Sequence, residues 1–248
     1  MCCFSRNVKL VADTTIFARG SGEGRQYLVY SMVMDAKEDL AMILPIPVPK
    51  DSKENAVRFI NLEEYPKFFS ELRAGFPVPR SLSAAPPNSG KSASANKLEV
   101  VAVGSFEVSF VPAIKDFARL DERFRLPTEV WEDLPQYKNY GFAVFKLKKG
   151  ASKVHPMAFD FPRANPDQIF FPTVHIHDGK IHARAKFDHA LYCQRAGNDK
   201  ADLNDWEEST QPAGLFMNMK KAKGLFVAEE HCYLKQLRGQ HKNEDVIL

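Results

Sequence analysis

The chain has 248 residues, 44% of them hydrophobic and 26% charged, with a formal net charge of +3. That balance excludes a disordered or fibrous chain, and the charge is too small to point to nucleic acid. A chain of this length buries roughly 70% of its unfolded surface, so it needs neither disulfides nor metal merely to fold.

The start, Met-Cys-Cys-Phe-Ser-Arg-Asn followed by Val8-Lys9-Leu10-Val11, lacks the apolar core of about 7–15 residues that a signal peptide needs. The longest apolar run, residues 40–48, is broken by Pro45 and Pro47 and falls short of the roughly 20 residues of a membrane span. Cys2, Cys3, Cys193 and Cys232 are too sparse for a disulfide framework. A cytoplasmic protein with reduced thiols is the expectation, with no membrane and no nucleic-acid partner.

Short apolar and alternating segments dominate the rest of the chain. Residues 8–11 and 14–18 read as strands before a Gly-Ser-Gly-Glu-Gly turn at 20–24. Residues 26–34 and 39–46 are rich in aliphatics and read as a hairpin buried on both faces, hence central in a sheet. Pro45, Pro47 and Pro49 end ladder pairing on its second strand. Residues 61–75 give the clearest helix, with Asn61 as cap, Glu63 and Glu64 at its positive end and Gly75 closing it. Residues 76–97 are rich in Ser, Ala and Pro without periodicity and read as an exposed loop. A second hairpin is expected across Gly104-Ser105, joining 98–103 to 106–111. Two short helical stretches fall in 112–137. Strands return at 140–147 and 154–161, then as a long hairpin across 171–194. After a polar loop, 214–219 and 224–237 are strand-like. The expected fold class is α+β and β-rich, with mostly antiparallel, sandwich-like sheets and a few short helices, in a single domain over 1–248.

Four of the seven histidines lie between residues 175 and 189, in Thr-Val-His-Ile-His-Asp-Gly-Lys-Ile-His-Ala-Arg-Ala-Lys-Phe-Asp-His. Asp178-Gly179 suits a two-residue type I′ turn, since both residues tolerate positive φ. With that turn, His175 faces His182, His177 faces Lys180, and both pairs share a face with Arg184, Lys186 and Asp188. Val174, Ile176, Ile181, Ala183, Ala185 and Phe187 take the other, core-side face. Opposed residues bring their Cβ atoms to about 4.5–5.5 Å, so His175, His177 and His182 are candidate ligands for zinc or another divalent transition metal. An open fourth position would hold a water whose pKa the metal lowers toward neutrality. Lys180, Arg184 and Lys186 on the same face repel a dication, and they point instead to a basic strip that docks an acidic partner.

Cys2 is the other candidate. Removal of Met1 would give Cys2 a free α-amino group able to act as a base, as in N-terminal-nucleophile amidohydrolases. Phe17-Ala18-Arg19 is similar to the pattern of those enzymes, but Gly20-Ser21-Gly22 stands where an Asp should follow. A thiol–imidazole metal set from Cys2, Cys3, His231 and Cys232 lacks the usual two-residue spacing. Asn88-Ser89-Gly90-Lys91-Ser92 resembles the end of a phosphate loop, with Ala85 in place of the first glycine.

The opening Met-Cys-Cys-Phe-Ser-Arg, residues 40–49 (Leu-Ala-Met-Ile-Leu-Pro-Ile-Pro-Val-Pro) and residues 170–179 (Phe-Phe-Pro-Thr-Val-His-Ile-His-Asp-Gly) together resemble an uncharacterised bacterial family of unknown function. The resemblance implies one domain of bacterial type and supplies no activity. Three readings of function stand side by side: a metal-binding module or metal-dependent enzyme at His175, His177 and His182; a Cys2 amidohydrolase; and a non-catalytic interaction module with a basic face.

Overall fold

The structure is a computed structural model, and it describes residues 2–6, 8–77, 101–103, 106–126, 128–153, 155–176, 181–195 and 202–248. The first half contains strands β1 (Cys2–Phe4), β2 (Val8–Gly20), β3 (Arg25–Ala36), β4 (Leu40–Ile46) and β5 (Arg58–Ile60), then helix α1 (Phe68–Ala74). Next come β6 (Val101–Val103), β7 (Phe106–Val111), helix α2 (Thr128–Glu132), β8 (Gly141–Leu147), β9 (Gly150–Lys153) and β10 (Met157–Pro162). The last third adds β11 (Phe170–Phe171), β12 (His175–Ile176), β13 (Arg184–Gln194), β14 (Glu207–Glu208), β15 (Cys232–Lys242) and β16 (Val246–Ile247).

These strands build two large sheets. One has six strands in the order β12-β1-β4-β8-β7-β6; the other runs β14-β15-β13-β2-β3-β10-β5, with β9 also on β3. A separate pair joins β11 to β16. Alternation splits each central strand between two cores. Leu40, Met42, Leu44 and Ile46 of β4 meet Ile16, Leu28, Tyr30 and Leu191 of the opposite sheet. Ala41 and Ile43 point outward, under Phe117, Trp131 and Tyr137 from the helical turns of 114–137. On the second sheet, Phe17, Val29 and Tyr192 point outward under α1 and the 213–226 segment. Both faces are therefore covered, which is why the central strands are apolar runs without a polar face.

As expected, most strand pairings among the described residues are antiparallel, but each large sheet also holds one parallel pairing. β12 runs parallel to β1, and β13 runs parallel to β2. Among the described residues, neither β3 and β4 nor β12 and β13 pair as the expected hairpins. β3 pairs with β2, β10 and β9, whereas β4 pairs with β1 and β8. Residues 37–39 thus carry the chain from one sheet to the other. A strand buried on both faces fits the middle of either sheet, so local pattern does not choose its neighbour. Likewise β12 lies beside β1 in the first sheet and β13 between β15 and β2 in the second. Residues 177–180 lie outside the described residues.

Other expectations fare unevenly. The helix of 61–75 shrinks to α1, because Pro66 has no N–H to donate and disfavours helical backbone at Tyr65. Asn61 instead accepts from the Glu63 N–H at 2.8 Å in a local turn. The 214–219 segment forms a helical turn over Ala213–Leu215 rather than a strand. The β6–β7 pairing agrees with expectation, with Val103 opposite Phe106. Ladder pairing on β4 extends to Ile46, so Pro45 lies within the strand opposite Phe142. Of the 76–97 loop, all but residues 76 and 77 lies outside the described residues.

Candidate functional site

The site begins with a backbone irregularity. β2 and β13 pair in parallel from Thr14 opposite His189 to Arg19 opposite Gln194. Ahead of that point they part, and β2 keeps only β3 over Val8–Ala12, while β13 keeps only β15 over Arg184–Asp188. The register of β2 against β3 shifts between Ala12 and Thr15, and Asp13 takes a left-handed φ of 50°. Such a bulge bends the strand and raises its local twist, which turns the start of β2 away from β13.

A cleft of about 380 Å³ lies in the resulting gap. β2 contributes Val11, Ala12 and Thr14, and β13 contributes Arg184, Lys186, Asp188 and His189. His175 of β12 and His182 of the connecting segment complete its walls. Imidazoles pack here against one buried aromatic ring. The His175 ring centroid is 4.5 Å from that of Phe187 and 4.7 Å from that of His189. His189 is buried, His175 half-buried and His182 exposed.

The C-terminal segment fixes this geometry. The Asn243 side chain accepts from the His175 N–H at 2.7 Å and donates to the carbonyls of His175 and His182 at 2.9 Å each. Its own N–H donates to the Ala183 carbonyl at 3.0 Å. Asp245 accepts from the Thr173 and Val174 N–H groups at 2.8 and 3.1 Å. It also accepts from the Tyr137 hydroxyl at 2.5 Å. Burial, reinforced by the Asp245 charge, raises the Tyr137 phenol well above its ordinary range.

The charge balance of the cleft is positive. Arg184 and Lys186 are exposed, and among the described residues neither joins an ion pair; the Arg184 guanidinium donates to the Gln240 carbonyl at 3.0 Å. The acid on the same wall, Asp188, is already engaged by Arg238 at 2.9 Å and accepts from the Asp13 N–H at 3.4 Å.

Of the predicted metal ligands, His175 and His182 do reach one cleft, though they come from different segments rather than from opposed strands of a hairpin. His177 and Lys180 lie outside the described residues. Among the described residues, no group of three or more His, Cys, Asp or Glu side chains is placed to hold a metal ion. The thiol–imidazole set does not assemble: Cys3 belongs to the outer core of the first sheet and Cys232 to that of the second. Burial pushes the Cys232 thiol up to about 12, where it is inert. Cys2 stands directly beside His175 in the β1–β12 register, so two sites that the sequence kept separate are neighbours. Sequence reasoning missed His189 and Asn243. His189 follows Phe187 by two residues, and a histidine on an apolar face is a usable signal; nothing local marks Asn243.

No family model matches the sequence, and no curated protein does. Among solved structures, the chain is similar to the crystal structure of baculovirus P35, with a TM-score of 0.49 and 15% identity over 100% of this chain and 99% of that one. It is also similar to the caspase-8/P35 complex, with a TM-score of 0.48 and 14% identity over 96% of this chain and 95% of that one. No activity or partner is transferred at this level of similarity. Among the described residues, no helix is long and apolar enough to cross a membrane.

Proposed function

We propose that the protein is a non-catalytic interaction module whose basic cleft receives an acidic segment of a partner protein. The observation that carries this reading is the grouping of Arg184 and Lys186 with His175, His182 and His189 around one cleft whose nearby acid, Asp188, is held by Arg238. Charges of one sign along a concave wall attract the opposite sign and speed encounter, and the attraction is screened by salt. The test is fluorescence anisotropy with a labelled octapeptide of alternating glutamate and valine. Binding is expected to weaken steeply with added salt and to fall at least about tenfold in the double variant Arg184→Glu/Lys186→Glu, the size of a lost close charge pair. Binding unchanged by that reversal sinks the reading. Stoichiometric zinc in freshly purified protein, measured by elemental analysis, would replace it with the metal-binding one at His175, His177 and His182.

The Cys2–His175 register favours a second reading, in which Cys2 is a nucleophile activated beside His175. An alkylation rate for Cys2 that drops in His175→Ala supports it. An intact mass that retains Met1 excludes a base supplied by the Cys2 α-amino group.

A further inference from the structure

The cleft is bounded by two strand edges as well as by charged side chains. A strand offers backbone N–H and C=O groups to both of its sides. Over Val8–Ala12, β2 spends one set on β3, and over Arg184–Asp188, β13 spends one set on β15. The remaining sets border the gap, where β2 lines the cleft with Val11 and Ala12 and β13 with Arg184, Ala185, Lys186 and Asp188, and among the described residues no strand pairs with either. Because β2 and β13 are parallel, a single inserted strand would meet both edges with the same direction and the same repeat. It would need to sit about 4.8 Å from each neighbour.

From this geometry we infer that the partner segment enters the cleft as an extended strand and completes the sheet between β2 and β13. The inference rests on the acidic-partner reading and specifies its binding mode, strand addition through main-chain hydrogen bonds. The stretches without a second partner strand, Val8–Ala12 and Arg184–Asp188, limit the paired part of the insert to about five residues. Alternation on β13 sets its pattern. Arg184 and Lys186 are exposed on one face, whereas Phe187 and His189 are buried on the other. The fitting segment therefore alternates acidic residues, set toward the two cations, with apolar residues over the aromatic and imidazole side.

The same features select against a second copy of this chain. Edge strands are commonly protected from one another by charges and bulges. Parallel, in-register self-pairing of this edge would oppose Arg184 and Lys186 to their own copies, beside the bulge at Ala12–Thr15. An acidic strand turns that repulsion into attraction.

The experiment compares the alternating glutamate–valine octapeptide with two N-methylated forms, one methylated at every glutamate amide and one at every valine amide. Each form keeps the charge and blocks one edge of the strand. Insertion between two strands uses both edges, so both forms are expected to bind at least tenfold more weakly than the parent. Amide exchange in 8–12 and 184–188 is expected to slow together on binding the parent peptide. If only one methylated form loses affinity, the peptide adds to a single edge and insertion is overturned. If neither loses affinity while binding stays salt-sensitive, insertion is overturned and the acidic-partner reading survives. Absence of binding by the parent peptide at low salt overturns both.

Discussion

Asn243 decides where two of the cleft histidines stand, and it does so with one amide. Its three side-chain hydrogen bonds to His175 and His182 tie the end of β15 to segments far away in sequence. Truncation to alanine removes all three and leaves backbone groups in a half-buried place. With a net worth of about 0.5–1.5 kcal/mol per bond, Asn243→Ala should cost about 1–3 kcal/mol in urea unfolding. Asn243→Asp keeps the acceptor for the His175 N–H and should cost less; equal losses in the two variants would show that the donor bonds carry the effect. Asp160 makes a comparable case in the second sheet. It is 5% exposed and accepts from the Arg25 Nε at 2.8 Å and the Arg58 Nε at 3.0 Å. Asp160→Ala leaves the largely covered Arg25 without its counter-charge, and a loss of about 3 kcal/mol is expected. A loss below about 1 kcal/mol would mean that water replaces the carboxylate. The site was only half legible at this scale. His175 and His182 stood out because histidines cluster in the sequence, and Arg184 and Lys186 stood out because they alternate. Asn243 sits in a polar Lys-Asn-Glu-Asp run that resembles any solvated tail, and its role exists only once β15 lies against β13.

At the scale of elements, the sequence reports which face of a strand is buried and says little about which strand lies beside it. β4 illustrates both halves of that statement. Its unbroken apolar run correctly marks a central strand, and all seven of its residues are buried. Its expected partner, β3, lies in the opposite sheet. Strands adjacent in the chain often pair, yet a three-residue connection serves equally well to step between two sheets packed face to face. The cleft was illegible for the same reason, since it depends on β2 and β13 being neighbours and on their parting at a bulge. Close packing between elements gives a direct test of this arrangement. A Cβ added at Gly141 of β8 would lie 2.5 Å from the Phe110 ring of β7 and 2.9 Å from Val48. Gly141→Ala must therefore displace an aromatic side chain in a filled core, and a loss of about 1–3 kcal/mol is expected. Gly22, in the turn between β2 and β3, meets nothing within 4 Å. Gly22→Ala should be neutral, or stabilising by up to about 1 kcal/mol through the unfolded chain. Thermal melts of the two variants separate the cases, and equal melting temperatures would contradict the placement of β8 against β7.

For the whole molecule, the covering of both sheets has a consequence in alkaline solution. The chain has seven tyrosines, and four with raised phenols lie in the two outer cores of the sandwich. Tyr137 and Tyr140 belong to the outer core of the first sheet, and Tyr65 and Tyr192 to that of the second. Burial is the first cause in each case. Glu71 hydrogen-bonds Tyr65, and Asp245 lies against Tyr137, so neighbouring acids add to the effect. The Tyr192 phenol is pushed up to about 12, as is the Cys232 thiol in the same core. An acid whose folded pKa exceeds its unfolded value stays protonated longer in the native state. The unfolded chain releases its phenol protons near pH 10, so between about pH 10 and 12 it binds fewer protons than the native one, and stability falls as pH rises. The contribution of Tyr192 is thus complete below about pH 10 and is lost by about pH 12, while that of Cys232 starts to fall from about pH 9. Native protein is therefore expected to unfold in this window, because phenolate can form in both covers only when they open. Phenolate absorbance and far-ultraviolet circular dichroism, followed together from pH 8 to 12.5, check this. The rise in absorbance from the buried tyrosines should coincide with the loss of strand signal. A smooth phenolate titration of Tyr192 near pH 10, isolated with Tyr192→Phe and with the circular dichroism unchanged, would show that the cover over the second sheet admits water in the native state.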